Sequence, residues 1–403
     1  MIQRFDVIIV GGGMVGLALA CGLGQAGKQV AVLEVSESPP PFRAEAPYEQ
    51  RVVALNRASQ TFLDHLGVWE TLLSWRVSPY QAMSVWDAGG PGSIEFHARD
   101  LGEPDLGHIV ENQWIQRALY ERLEQLETVT WFSPVEVQRF VMDDQEVIVT
   151  LEQGDLLTAK LLVGADGGRS AVRQIAGIEF GREDYHQLGI VANVETARHH
   201  DFTAWQRFLA DGVLAFLPMP DGRSSIVWSA NEQRATQLMG MDDEAFRREL
   251  TVALDGRLGE VISTGPRAAF PLGGAQAKQY IQPRLALVGD AAHNIHPLAG
   301  QGVNLGFMDA AELTGILAST PRDLGSLSVL RRYERARSGE NLLMQRLMES
   351  FQKLFINDVQ GLGLLRGVGM NLANAVLPVK TEMMRYALGV RGGLPELARP
   401  PLH

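Results

Sequence analysis

Short runs of β-branched and aliphatic residues alternate with stretches of helical spacing along most of the chain, and this alternation predicts an α/β fold. Asp6-Val7-Ile8-Ile9-Val10 is a continuous apolar run of the kind buried in a parallel sheet. The glycine-rich turn Gly11 to Gly16 follows, then small and apolar residues at helical spacing from Leu17 to Ala26, with Gly27 as the stop. Gln29 to Glu34 reads as the second strand, and Pro39-Pro40-Pro41 makes 36–50 a loop. Leu55, Phe62, Leu63 and Leu66 place an apolar face on a helix within 51–75.

From 77 to 108 the pattern turns β-like and glycine-rich. A helix is expected over Asn112 to Leu126, short strands over 129–163 ending at Leu161-Leu162-Val163, and further strands at Gly189 to Val194, Val213 to Leu217 and Ser225 to Ser229. A helix over 242–256, a buried strand from Leu285 to Val288 and a mainly helical remainder after Gly302 complete the reading. β material inserted between αβ segments implies a second, sheet-based domain. The expected division gives 1–76, 109–180 and 273–330 to a doubly wound domain, 77–108 and 181–272 to a β-sheet substrate domain, and 331–403 to a helical C-terminal region.

Composition narrows the function classes. With 403 residues, 46% apolar and 21% charged, the chain is globular and large enough for more than one core. Its longest apolar runs fall far short of the ~20 residues of a membrane span. The start goes straight into a strand with no leader pattern, so a cytoplasmic protein is expected. A single cysteine, Cys21, excludes an internal disulfide and a multi-thiolate metal site; no metal is expected, and Cys21 reads as inert packing. A net charge of −11 disfavours nucleic acid. Residues 331–403 depart from this balance, with 11 Lys/Arg against 6 Asp/Glu. That tail either touches an anionic surface, peripherally on the inner membrane, or is a solvated helical face. Leu342-Leu343-Met344, Leu347-Met348, Phe351 and Leu354-Phe355 recur in it at helical spacing, as a core helix first and a membrane or subunit contact second.

Three separated motifs carry candidate chemistry. Gly11-x-Gly13-x-x-Gly16 lies between a strand and a helix, with Glu34 ending the next strand. Gly11 allows the tight turn, Gly13 lets a pyrophosphate approach, Gly16 lets helix and sheet pack, and Glu34 is placed for an adenosine ribose. The second is Leu162-Val163-Gly164-Ala165-Asp166-Gly167-Gly168-Arg169-Ser170 with Arg173 one turn on, which reads equally as a cofactor contact or as an Asp turn with a Ser N-cap. The third runs from Leu285 through Gly289-Asp290-Ala291-Ala292-His293-Asn294-Ile295-His296-Pro297 to Gly300-Gln301-Gly302-Val303-Asn304. There Asp290 leaves a strand where it can accept a ribityl hydroxyl, and the glycine-rich turn offers backbone donors to a flavin ring. With one dinucleotide fingerprint, hydride must come from a nicotinamide, NAD(P)H, docking transiently or from a separate reductase.

In this order and spacing the motifs resemble the flavoprotein aromatic hydroxylases of the p-hydroxybenzoate hydroxylase fold. Within them the chain is most similar to the ubiquinone-biosynthesis hydroxylases of polyprenylated phenols and quinols. Glu49-Gln50-Arg51-Val52-Val53-Ala54-Leu55-Asn56, Leu66-Gly67-Val68-Trp69, His108-Ile109-Val110-Glu111-Asn112, Phe270-Pro271-Leu272 and Arg331-Arg332-Tyr333-Glu334 carry the narrower likeness, which runs from residue 5 to about 390. It implies FAD held by Gly11, Gly13, Gly16 and Glu34, with Arg51, Asn112, Arg117 and the Val135 backbone nearby. Asp166 and Arg169 would serve FAD and nicotinamide, and Asp290, Pro297, Gly300, Gly302, Val303 and Asn304 would line ribityl and isoalloxazine. Asn294 stands where the family pattern has Thr.

The resemblance further implies dioxygen as cosubstrate and hydroxylation of a prenylated aromatic ring through a flavin hydroperoxide. It also implies a homo-oligomer and a place in a ubiquinone-biosynthesis complex. His293 and His296 are acid–base candidates by residue type or, alternatively, hydrogen-bond a backbone turn; the resemblance implies the backbone around Pro297, rather than a side-chain base, as the contact to the substrate hydroxyl. Phe208, Leu214, Phe216, Leu217 and Met219 read either as an apolar pocket over the flavin or as sheet core. The alternative functions are a flavin-dependent reductase of a prenylated substrate, a hydroxylase of another aromatic, or a non-catalytic flavoprotein subunit. Trp69, Trp75, Trp86 and Trp114 lack the Trp-x-Trp-x-Ile-Pro arrangement of flavin halogenases.

Overall fold

A computed structural model describes residues 2–294, 302–356, 380–382, 384–385, 388–390 and 393–400. The first part runs β1 (Gln3–Val10), α1 (Met14–Gln25), β2 (Val30–Leu33), β3 (Val52–Leu55), α2 (Arg57–His65), α3 (Trp69–Leu73), β4 (Val77–Tyr80), β5 (Ala82–Asp87), β6 (Ser93–His97), β7 (Gly107–Glu111) and α4 (Asn112–Leu123). Strands β8 (Val129–Phe132), β9 (Val137–Met142), β10 (Val147–Leu151) and β11 (Leu156–Gly164) lead to α5 (Ala171–Ile175). Next come β12 (Phe180–Thr196), β13 (Thr203–Leu209), β14 (Gly212–Pro218), β15 (Ser224–Asn231), α6 (Glu232–Gly240) and α7 (Asp243–Ala253). The last part holds β16 (Val261–Thr264), β17 (Ala268–Ala277), β18 (Ile281–Gln282), β19 (Leu285–Leu287), β20 (His293–Asn294), α8 (Gly302–Ser319) and α9 (Leu327–Ile356).

Val7, Ile8 and Ile9 are fully buried because β1 lies between parallel partners, with Ile8 opposite Leu162 of β11 and Ala31 of β2. The first sheet has the order β18-β19-β11-β1-β2-β8, with β10 paired antiparallel to the first half of β11 and β9 antiparallel to β10. Helices α1, α4 and α8 pack together beside it, and their apolar residues join the strands in one large core. Cys21 belongs to that core: its thiol donates to the Leu119 carbonyl at 3.4 Å, and burial pushes it up to about 12. A thiol held protonated is a poor nucleophile. Native protein should therefore resist iodoacetamide and react fully only after denaturation, as mass spectrometry of the two samples will report.

The second sheet has the order β20-β17-β12-β15-β14-β13-β5-β6, with β16 also on β12. A third, small sheet β3-β7-β4 bridges the two halves. The sequence places 51–75 in a helix, but Val52 to Leu55 are a strand pairing with β7, and helix begins only at Arg57, where the Asn56 side chain accepts the Ser59 N–H. Four apolar residues in a row fit either period, and the β7 partner decides.

Alternation along the second sheet separates its faces. Ile190, Ala192, Val194, Leu214, Phe216, Ile226 and Trp228 point toward α6 and α7, forming a core with Leu238, Phe246 and Leu250. Leu214 and Phe216 are thus sheet core rather than pocket lining. The other face carries Val191, Val227 and Ala215 in one cross-strand row, and Asn193, Ser225 and Leu217 in the next. This face looks toward the first domain, since Asn193 Nδ2 donates to the carbonyls of Tyr48 (3.2 Å) and Glu49 (3.1 Å). Phe208 packs with Val85, Ile94 and Val213, while Leu217 and Met219 join a cluster with Tyr80, Ile109, Met384 and Leu388.

Candidate functional site

The turn after β1 keeps its glycines for different reasons. A Cβ on Gly11, whose φ is +108°, would lie 2.4 Å from the Ala165 carbonyl oxygen, and one on Gly16 would lie 2.0 Å from the Gly11 carbonyl oxygen. Both glycines therefore allow close backbone packing, and Gly11 sits directly against the second motif. A Cβ on Gly13 meets nothing within 4 Å. No side chain caps α1 at Gly13, so its first turn presents backbone N–H groups and the positive end of the helix to that open space.

Glu34 stands beside this turn. Its Oε2 accepts the Gly12 N–H at 2.6 Å and its Oε1 the Ser36 N–H at 2.8 Å. A carboxylate has about four acceptor directions, so two remain for further donors. The Val135 N–H is taken by the Glu34 carbonyl at 2.8 Å. Arg117 is also committed within the protein, Nε to Glu121 at 2.8 Å and Nη1 to the Pro39 carbonyl at 2.9 Å, where it holds the 36–50 loop.

In the second motif Asp166 Oδ2 accepts the Val172 N–H at 3.1 Å, Ser170 caps α5 by accepting from Arg173 N, and Arg169 is exposed. Arg173 ties this motif to the third: its Nη2 donates to the Gly168 carbonyl (2.9 Å) and its Nη1 to the Ala291 carbonyl (2.8 Å), with its guanidinium 3.6 Å from the Phe180 ring centroid. Gly289, with φ +58°, turns against Val15 of α1, and Gly306 of α8 abuts the same Val15. Residues 11–16, 165–173, 289–294 and 302–306 thus converge on one place.

Asp290 stands at that junction. Its side chain faces open space, yet protein rings it closely enough that desolvation raises its carboxyl above the ordinary range, against the pull of His293 and Arg51. Arg51 is exposed, its guanidinium 5.3 Å from the Phe270 ring centroid. Buried oxygens without partners, Asp166 Oδ1 and Asn112 Oδ1, flank the site. Each such atom costs about 1–3 kcal/mol when left unpaired, so each marks where a bound hydroxyl or amide fits. The open space at Gly13, the uncapped α1 and these acceptors fit a dinucleotide with a polyol arm.

Two expected residues lie differently. The Asn304 side chain does not face the cleft: its Oδ1 accepts from Asn56 N (3.1 Å) and Ser59 Oγ (2.7 Å), and its Nδ2 donates to the Ala54 carbonyl (2.9 Å). These bonds tie the side chain to β3 and α2 rather than to a ligand; beside it in the first turn of α8, a Cβ on Gly302 would meet nothing within 4 Å. His293 is buried, with Nε2 2.5 Å from Asp309 Oδ2 and its ring stacked near Tyr280, and it holds structure together rather than facing a substrate. His296, Pro297 and Gly300 lie outside the described residues.

Sequence reasoning missed the polar clasp between the domains. Tyr48 lies between two guanidiniums, Arg76 at 4.1 Å and Arg223 at 4.8 Å from its ring centroid. Beside it the buried Glu111 accepts from the Glu49 N–H (2.7 Å) and Trp114 Nε1 (3.0 Å) and pairs with Arg76 Nε (3.3 Å). Burial raises the carboxyls of Glu49 and Glu111. Glu49 to Arg51 is the one sequence signal near this clasp; its partners are scattered over 170 residues.

Comparison with known proteins gives concordant results. A family profile described as an FAD binding domain matches residues 4–345. The 3-demethoxyubiquinol 3-hydroxylase of Escherichia coli is 39% identical over 392 residues, covering 96% of this chain and 99% of that protein. The ubiquinone biosynthesis monooxygenase COQ6 of Danio rerio is 35% identical, covering 96% of this chain and 90% of that one. Among solved structures, p-nitrophenol 4-monooxygenase PnpA of Pseudomonas putida superposes with a TM-score of 0.80 at 20% identity, over 97% of this chain and all of that one, which is a likeness of fold.

Proposed function

The chain belongs to the FAD-binding-domain family, among the flavin-dependent hydroxylases of ubiquinone biosynthesis, and from this we infer that it hydroxylates the ring of a prenylated phenol or benzoquinol. It is an FAD-dependent monooxygenase. The observation that carries the reading is the convergence of three distant motifs on one cleft, where Ala165 packs on Gly11 and both Gly289 and Gly306 pack on Val15.

FAD, reduced by NAD(P)H or by a separate reductase, supplies the reaction with dioxygen through which one oxygen atom reaches the ring. The chain's own residues bind, orient and shield. The α1 N-terminus and the open space at Gly13 receive the pyrophosphate, and Glu34 takes the ribose. Asp290 accepts from the polyol arm, and the unpartnered oxygens of Asp166 and Asn112 accept further donors. Backbone N–H groups at Gly302 and Val303, at the positive end of α8, would stabilise negative charge on the flavin ring. The Val191–Val227–Ala215 row, small and apolar, gives the facing sheet a surface that sheds water and accommodates an apolar ring and prenyl chain.

Among the described residues no helix is long and apolar enough to cross a membrane. Contact with a bilayer surface that holds a prenylated substrate, together with docking to partner enzymes or a second copy, we assign to the basic C-terminal region. Its apolar positions from Leu347 onward are side chains outside those described.

The test uses purified protein reconstituted with FAD and given a short-chain prenylated phenol and NAD(P)H, or NAD(P)H with a reductase. Substrate-dependent oxygen consumption with a product heavier by one oxygen atom is expected. Consumption of reductant without oxygen would assign the chain to the reductases instead, and failure to take up flavin would overturn the reading.

A further inference from the structure

One set of buried charges lies below the cleft and is not used by the chemistry just derived. Asp309 of α8 is fully buried, and its two oxygens face opposite ways. Oδ2 accepts the N–H of Gly289 (3.0 Å) and lies 2.5 Å from His293 Nε2. Oδ1 accepts from Arg337 Nε (2.9 Å) and Asn341 Nδ2 (3.2 Å), and Arg337 Nη2 also donates to Asn341 Oδ1 (2.9 Å). Tyr333, Arg337 and Asn341 are spaced four apart, hence on one face of α9. That face also reaches the strand before the turn: Tyr333 Oη donates to the Leu287 carbonyl (2.7 Å), and the adjacent Glu334 accepts the Tyr280 N–H (3.0 Å). Helix α9 therefore grips the segment from Tyr280 to His293 at several points, and that segment presents Asp290 to the cleft.

We propose that Arg337 and Asn341 are positioning residues for the flavin half of the cofactor, acting through Asp309 on the Gly289–Asp290 turn; this rests on the FAD reading above. A buried charge cluster of this kind is a poor way to gain stability, because apolar replacements of similar volume often match or exceed it. What it supplies is direction. Gly289 adopts a left-handed conformation, and its N–H is fixed by an oxygen of Asp309 whose carboxylate is itself held in place by two α9 side chains. Without Arg337 the buried carboxylate keeps only the Asn341 amide on its α9 side while His293 holds the other oxygen, and the turn loses its fixed height against α1. The ADP half is untouched, since Gly13 and Glu34 have no contact with this cluster.

The test separates the two halves of the ligand. Affinities for FAD and for ADP are measured on the apoprotein of the parent and of Arg337→Met, Arg337→Lys and Asn341→Ala, alongside thermal melting. Arg337→Met is expected to weaken FAD about tenfold while ADP stays within about twofold, and Arg337→Lys to recover part of the loss. If Arg337→Met does not fold, Asn341→Ala, which keeps the Asp309–Arg337 pair, should show the same split at about threefold. Equal losses of FAD and ADP, or a lower melting temperature with both affinities unchanged, would overturn the proposal. Failure of the cofactor reading shows separately, as a parent protein that takes up no FAD.

Discussion

Gly13→Ala should give an apoprotein that melts with the parent yet binds FAD at least about 100-fold more weakly, roughly 2.7 kcal/mol. The new methyl group meets no protein atom within 4 Å, so folding has nothing to object to, but it occupies the space in front of the α1 N-terminus. A pyrophosphate must come within hydrogen-bond reach of those backbone N–H groups, and a methyl group there holds it away. Gly16→Ala makes the contrasting case. Its Cβ would lie 2.0 Å from the Gly11 carbonyl oxygen, a backbone atom that cannot turn aside, so α1 must shift off β1. That variant should lose several kcal/mol of stability and bind poorly because the turn itself is deformed. Differential scanning of the two apoproteins, with FAD titration by flavin fluorescence, separates them. If both melt alike, Gly13 has a packing role that its open surroundings do not reveal.

This difference between two glycines of one motif shows where sequence patterns stop. The spacing Gly11-x-Gly13-x-x-Gly16 between a β-branched run and a helix is legible because strand, turn and helix are local, and Glu34 follows at a fixed interval. Local chemistry likewise gives the Ser170 cap and the turn at Asp290. Side-chain direction across the second sheet is half legible: alternation puts Leu214 and Phe216 on one face and Ala215 and Leu217 on the other, but not which face meets helices. That choice depends on α6 and α7 packing on one side and the Tyr48–Glu49 segment on the other. Asn304 reads as a cofactor contact because it sits in the motif, whereas its partners Asn56 and Ser59 are about 250 residues earlier and leave no periodic trace. The Asp309 cluster is still less visible, since its members come from three elements and none belongs to a pattern that predicts the others.

Removing the Asp309 charge should be the most destabilising single change in the described charge networks, with Asp309→Asn lowering unfolding free energy at neutral pH by about 3–5 kcal/mol. Arg337, almost wholly buried, would keep its charge and lose its counter-charge, and the amide cannot accept from both sides as the carboxylate does. The same carboxylate sets an acid limit. Burial alone would push it up, but His293 and Arg337 outweigh burial and hold it at about 2, below the ordinary 3.8. A folded-state value below the unfolded one contributes stability in full above pH ~5 and loses it as pH falls through ~4 toward ~2. At about 1.4 kcal/mol per unit, this contribution is roughly 2–3 kcal/mol. Asp6, Asp143 and Asp323 are held low as well, so the parent's acid unfolding alone does not isolate Asp309. The difference between parent and variant does, because those carboxylates are common to both. In urea titrations that difference should be flat from pH 8 to about 5 and shrink as pH falls further. A gap that is the same at pH 3 and pH 7 would mean that Asp309 is already protonated in the folded protein, and that Arg337 is held by something other than its charge.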